Sequence, residues 1–333
     1  MTAASGIGSL PGNDAGDYAE AVRLVLGECP DLPYLPELPG RGAVADMAGR
    51  GLAIMAELGA DLQPAGWRLT DAPGVDHRRG RSLLAQDLDV VEEQLQGYAG
   101  RFKIQVAGPW TLAATVERPR GDRVLADHGA RRELAQALAE GLRDHIADVR
   151  RRLPDATLIV QLDEPVLPAV MTGQVPTASG FSRHRSVDPP GASPALEWVF
   201  TAIEESGATS VAHCCAASPP SSLLLGAGAR GISVDLSVLE PAGYDDLGAA
   251  IEGDRLVLLG AVPSVEPDPA SWPRDSQVTE RILRVLDMLG FDPESVGECL
   301  VVTPACGLSA ASVGWARRAS ELTRQVAANL SSP

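Results

Sequence analysis

No apolar run in the 333-residue sequence approaches the roughly 18 to 20 residues that span a bilayer, so no membrane-crossing helix is expected. The N-terminus has no positively charged segment leading into an apolar one, so no secretory leader is expected and the chain reads as cytoplasmic. Basic residues are too few for a polyanionic partner: 28 Lys and Arg stand against 44 Asp and Glu, a formal charge of −16. That balance argues against nucleic acid and anionic membranes, which are bound by neutralising phosphates. Cysteine is scarce too. The five present are an odd number with two adjacent, a poor disulfide framework that fits a reducing compartment. There is no internal repeat and no low-complexity linker, so residues 1–333 are expected to form one domain. A chain this long buries enough surface to fold without staples, so a metal site in it leans towards function.

Short β-rich apolar runs alternate with longer stretches of helical period. Strands are predicted at Ile7–Leu10, Leu32–Leu38, Phe102–Ala107, Thr157–Leu162, Ser210–Cys214, Gly231–Leu236, Arg255–Val262 and Cys299–Pro304. Several are continuous Val/Ile/Leu runs, as parallel strands covered on both faces require. Helical period is read over Asp17–Gly27, Arg131–Arg151, Thr279–Leu289 and Ala310–Ala327. Eight strands alternating with helices predict a single (β/α)8 TIM barrel. Gln63–Arg81, Met171–Pro194 and Pro263–Asp275 are rich in Gly, Pro and polar residues and read as long loops over the mouth at the strands' C-terminal ends.

Reactive residues collect at the ends of the predicted strands: Ser9, Glu37, Asp163, His213, Asp235 and Cys306. In a barrel those ends converge on one mouth, where active sites are built. Within Val-Ala-His213-Cys214-Cys215, strand alternation turns His213 and Cys215 to one side and Cys214 to the other. Cys306 would add a second thiolate and Asp235 a carboxylate, a donor set that suits Zn²⁺. The bland alternative makes the cysteines small buried apolar groups and His213 a core histidine.

The other candidates each carry two readings. Asp163-Glu164-Pro165 ends a strand, with one carboxylate entering the pocket and the other anchoring the loop, or both merely fixing that loop. Gly8-Ser9-Leu10-Pro11-Gly12 can offer backbone N–H groups and a hydroxyl to a carboxylate, or be an ordinary turn. Trp110, in Gly108-Pro109-Trp110-Thr111, can wall a substrate or sit in the core. Glu37 can bind an ammonium group or cap the next segment. Arg68, His77, Arg78 and Arg79 form the one basic concentration near a mouth loop, able to meet an acidic cosubstrate or simply face solvent.

Together these segments resemble the C-terminal catalytic barrel of the cobalamin-independent methionine synthases, in a short, core form. The matching pieces are Ile7-Gly8-Ser9-Leu10-Pro11, Gly108-Pro109-Trp110-Thr111, Gln161-Leu162-Asp163-Glu164-Pro165, His213-Cys214-Cys215 and Pro304-Ala305-Cys306-Gly307-Leu308, in the family's order along nearly the whole chain. The resemblance implies a (β/α)8 barrel whose zinc binds homocysteine through sulfur for methylation to methionine. His213, Cys215 and Cys306 then fall on zinc ligands, Ser9 in the segment holding the amino-acid carboxylate, and Asp163 beside the substrate amine. Asp235 stands where the family usually has a glutamate ligand. The stretch Gly260-Ala261-Val262-Pro263-Ser264 lacks the family's proton-delivering histidine. That absence sets methylcobalamin or a methylcorrinoid protein beside 5-methyltetrahydrofolate as the expected donor. The rival expectations are a corrinoid-linked methyltransferase acting on another thiol, a uroporphyrinogen-decarboxylase-like barrel, and a non-catalytic zinc-binding barrel.

Overall fold

The computed structural model describes residues 1–331. Among the described residues nine strands are formed: β1 (Ala3–Ala4), β2 (Ala60–Gln63), β3 (Gly66–Leu69), β4 (Arg101–Ala107), β5 (Thr157–Asp163), β6 (Thr209–Cys214), β7 (Gly231–Asp235), β8 (Leu256–Val262) and β9 (Leu300–Pro304). Seven make one curled sheet in the order β1-β9-β8-β7-β6-β5-β4, and every neighbouring pair is parallel. The fold is α/β, with helices in the crossovers between strands, as parallel pairing requires. No helix among the described residues is long and apolar enough to cross a membrane.

The regular sheet counts seven strands against the eight expected. The predicted strand Leu32–Leu38 forms isolated parallel bridges instead, Tyr34 to Lys103 on β4 and Glu37 to Ser9 beyond β1. Four backbone bonds hold it: Lys103 N to Pro33 O (2.9 Å), Leu35 N to Lys103 O (2.9 Å), Glu37 N to Gly8 O (3.0 Å) and Leu10 N to Glu37 O (2.8 Å). Prolines at 33 and 36 explain the broken ladder, because neither offers an N–H. The first strand is likewise shorter and earlier than the predicted Ile7–Leu10.

The four predicted helices form as Ala15–Glu28, His128–Arg152, Asp275–Leu289 and Val313–Ser331. Asp14 and Asp127 cap two of them by accepting from Asp17 N and Ala130 N at 2.9 Å. Gln63–Arg81 is not one loop. It closes the antiparallel hairpin β2–β3 and then begins a helix at Val75–Gln94. The other two stretches remain largely loop, ending at the helices Pro189–Glu205 and Asp275–Leu289.

Side chains alternate along each strand. The outward ones, such as Phe102, Ile104, Leu158, Val160, Leu162, Val257 and Leu259, join the main core beneath the helices. The inward ones at the strand starts form a separate apolar plug of Ala3, Leu32, Ile159, Val211, Leu258 and Val301. Two residues further along, the inner face turns polar, with Gln161 following Ile159 and His213 following Val211. The plug fills the inner face of the curled sheet at the strand starts and leaves the C-terminal ends for chemistry.

Candidate active site and metal centre

Strand parity and register bring the reactive groups together. Asp163 on β5 pairs in register with His213 on β6, and His213 with Ser233 on β7. A cavity of about 330 Å³ opens at the C-terminal strand ends. It is lined by Ser9, Glu37, Asp163, His213, Cys215 and Cys306 among others, and by no Lys or Arg.

His213, Cys215 and Cys306 offer ligand atoms that all lie within 4.8 Å of one another. His213 Nδ1 stands 2.9 Å from Ser233 Oγ, while its buried Nε2 has no partner among the described residues. A hydrogen-bonding partner on one ring nitrogen and an unshared lone pair on the other is how ligating histidines are held. The Cys306 thiol donates to Cys215 Sγ at 3.1 Å, which lowers the Cys215 thiol pKa and raises that of Cys306, where burial adds to the rise. An orphaned buried imidazole nitrogen beside two free thiols fits a zinc ion. Cys214 points away as parity predicts, buried, its thiol pushed up to about 11 by desolvation.

Three carboxylates line the cavity, Asp163, Glu37 and Asp46. Asp163 is buried, which pushes its carboxyl up to about 6 against the pull of His213, Gln161 and Lys103. Gln161 Nε2 donates to Asp163 Oδ1 at 2.7 Å. Glu37 accepts from Gln105 Nε2 at 3.0 Å and pairs with Arg50 Nε at 3.2 Å. Arg50 is in turn anchored by Asp87 at 2.8 Å, and Arg41 grips both Asp87 oxygens at 2.7 Å. Buried charge is thus compensated behind the site. Glu164 takes the other role foreseen for the acidic pair. It accepts from Trp110 N (2.9 Å), Thr111 N (2.8 Å) and Thr111 Oγ1 (2.7 Å) at the start of the helix Pro109–Thr115. Burial pushes its carboxyl up to about 7, against those three donors.

Ser9 lies against the Cys306 loop, where Leu308 N donates to Ser9 O at 2.8 Å. A Cβ at Gly307 would meet Ser9 Oγ, so any other residue there would turn that hydroxyl away from its present position.

Other expected residues are placed elsewhere. Asp235 stays outside the His/Cys cluster. Its carboxylate accepts from Ser237 N (2.8 Å) and Ser237 Oγ (2.6 Å), because a short side chain at a strand end closes on its own turn. Trp110 is buried away from the cavity, its indole N–H on Ala192 O at 3.1 Å. Beginning a helix at Pro109 turns that indole into the core. Of the basic concentration, Arg68 pairs with Glu117, Arg79 with Asp76, Arg78 is exposed with its guanidinium on Pro73 O, and His77 is buried with Nε2 on Leu52 O.

Sequence reasoning missed Gln105, Asp46 and Met47, which also line the cavity. Gln105 stands two residues from Lys103 in a run read only as apolar. Asp46 caps the helix Met47–Ile54 through Gly49 N at 2.7 Å, and burial raises its carboxyl pKa. A larger basin of about 880 Å³ lies at the opposite end, over the strand starts. Its Arg230 is paired with Glu204, and among the described residues its Asp254, Glu298 and Cys299 do not come together as a metal-binding group, so size does not mark the reactive end.

The model of the cobalamin-independent synthase catalytic domain matches residues 93–329. No curated protein matches the chain. Among solved structures, a B12-independent methionine synthase from Shewanella sp. W3-18-1 in complex with selenomethionine is 14% identical, with TM-score 0.64, over 99% of this chain and 98% of that one. A Rubisco from Pyrococcus horikoshii OT3 (11% identity, 99% and 57% coverage) has a TM-score of 0.43, too low to argue from. With the match spanning most of its length, the chain belongs to the cobalamin-independent synthase catalytic-domain family and is a methyltransferase of the methionine synthase type.

Proposed function

We propose that the chain is a zinc-dependent homocysteine S-methyltransferase working as one (β/α)8 unit, in which residues 33–37 stand in for the eighth strand. The observation that carries this is one cavity holding two thiols, an imidazole and three carboxylates, with no Lys or Arg in its lining. His213, Cys215 and Cys306 would hold the zinc, three protein donors being the usual number for a catalytic site that keeps one position for substrate. Zinc, when bound, supplies a substrate thiol that is deprotonated at neutral pH and still nucleophilic.

The chain's own residues then select and orient the acceptor. Glu37 and Asp163 accept hydrogen bonds from its ammonium group, and the turn at Ser9 receives its carboxylate. Ser233 keeps the His213 ring in place. The buried cavity aligns sulfur and methyl carbon, and such alignment is worth about 7 to 11 kcal/mol. As no histidine stands in Gly260–Ser264, a methylcorrinoid, whose leaving group needs no proton, suits this chain better than 5-methyltetrahydrofolate.

The test is methionine formation by zinc-loaded protein from homocysteine, with methylcobalamin and 5-methyltetrahydrofolate as separate donors. Methionine from methylcobalamin is expected, lost together with zinc in His213→Ala and Cys306→Ser. Fully zinc-loaded protein that makes no methionine from either donor would defeat the reading.

A further inference from the structure

Of the 28 basic residues in the chain, 27 are arginine, and Lys103 is the one lysine. It is completely buried on the inner face of β4. An ammonium has three donors, and here all three are used: Ile7 O at 3.1 Å, Gln161 Oε1 at 2.9 Å and Gln105 Oε1 at 3.4 Å. The Tyr34 ring lies 5.3 Å from Nζ on a further side. A planar guanidinium fork does not match three acceptors converging on a point.

The two glutamines carry the consequence. Each turns its oxygen to Lys103 and so its NH₂ away. Gln105 Nε2 donates to Leu35 O (2.6 Å) and Glu37 Oε1 (3.0 Å). Gln161 Nε2 donates to Ile7 O (2.8 Å) and Asp163 Oδ1 (2.7 Å). Flipping either amide would set its oxygen against two acceptors and its NH₂ against an ammonium. One buried cation therefore fixes both amides, and each amide fixes one carboxylate of the cavity.

We propose that Lys103 is a positioning residue which, through Gln105 and Gln161, holds Glu37 and Asp163 as a matched pair of hydrogen-bond acceptors for a substrate ammonium group. The proposal rests on the reading that the cavity receives an amino-acid thiol. It adds that selectivity for the amine is set from below the site, by a residue that touches no substrate.

Calorimetry on zinc-loaded protein with L-homocysteine and with 4-mercaptobutanoate, the same thiol without its amine, tests it. Wild type should bind homocysteine more tightly. Lys103→Met should lose roughly 10- to 100-fold in homocysteine affinity while binding 4-mercaptobutanoate unchanged, at full zinc stoichiometry. The isosteric Gln161→Glu, which sets an acceptor against Asp163, should show the same selective loss and decides the matter if Lys103→Met does not fold. Folded variants that keep the wild-type preference, or weaken both thiols equally, overturn the role of Lys103 alone. Wild type that binds neither thiol overturns the amino-acid reading as well.

Discussion

Ser233 Oγ lies 2.9 Å from His213 Nδ1, across a register pair of adjacent parallel strands. The contact leaves Nε2 as the only ring nitrogen free to meet the two thiols. Removing it with Ser233→Ala should weaken zinc binding by about tenfold or more, as losing such an outer partner does. Competition against a chromogenic chelator measures this; unchanged affinity would show that ring orientation is held by packing alone.

Asp235 gives the opposite expectation. Because its carboxylate serves Ser237, Asp235→Ala should retain one zinc per chain and shift zinc affinity by no more than about twofold, the range of a substitution outside any site. A large loss of metal would return Asp235 to the ligand set.

Glu164 closes the start of the helix Pro109–Thr115 through three buried donors. Glu164→Ala should cost about 3 kcal/mol in urea unfolding, since buried donors left unmade cost about 1–3 kcal/mol each and are partly recovered by relaxation. Zinc stoichiometry should not change. A cost below about 1 kcal/mol would mean water replaces the carboxylate.

His145, on the helix His128–Arg152, is buried and its pKa falls from 6.5 to about 4, first through desolvation and then through Arg50. Above pH 6.5 the imidazole is neutral folded or unfolded, and stability is complete. As pH drops from 6.5 towards 4, the unfolded chain binds a proton that the folded one refuses, so stability is lost across that window. About 2 kcal/mol should disappear between pH 7.5 and 5 from this group. Zinc-free protein isolates the effect, and His145→Phe should flatten this part of the urea-midpoint profile. An unchanged slope would assign the acid sensitivity to other groups.

Much of the site was legible because strand parity is a strict rule. His213 and Cys215 share a side two residues apart, and the ends of β5, β6 and β9 mark Asp163, His213 and Cys306 as neighbours. What escaped depends on single rotamers and on chain direction after a strand. Trp110 follows Gly108 like a pocket residue, yet a helix starting at Pro109 buries it. Asp235 occupies an inward position, and only its hydrogen bonds reveal that it folds back. Lys103 and Gln105 carry the inward period in plain view, but flanking Phe, Ile and Val made the run read as uniformly apolar. The hairpin β2–β3 was hidden by the Gly and Pro that its turn requires.

The stave that bears Glu37 is the least firmly laced in the wall. Two backbone bonds join it to each neighbour, whereas β4 and β5 share seven register pairs. Side chains add to its hold: Gln105 Nε2 bonds Leu35 O and Glu37, Arg50 grips Glu37, and Leu35 and Leu38 are buried. Amide exchange should accordingly be faster at Leu35 and Glu37 than along β5, and should slow once an amine engages Glu37. Recognition of the guest and fastening of this segment would then be a single event.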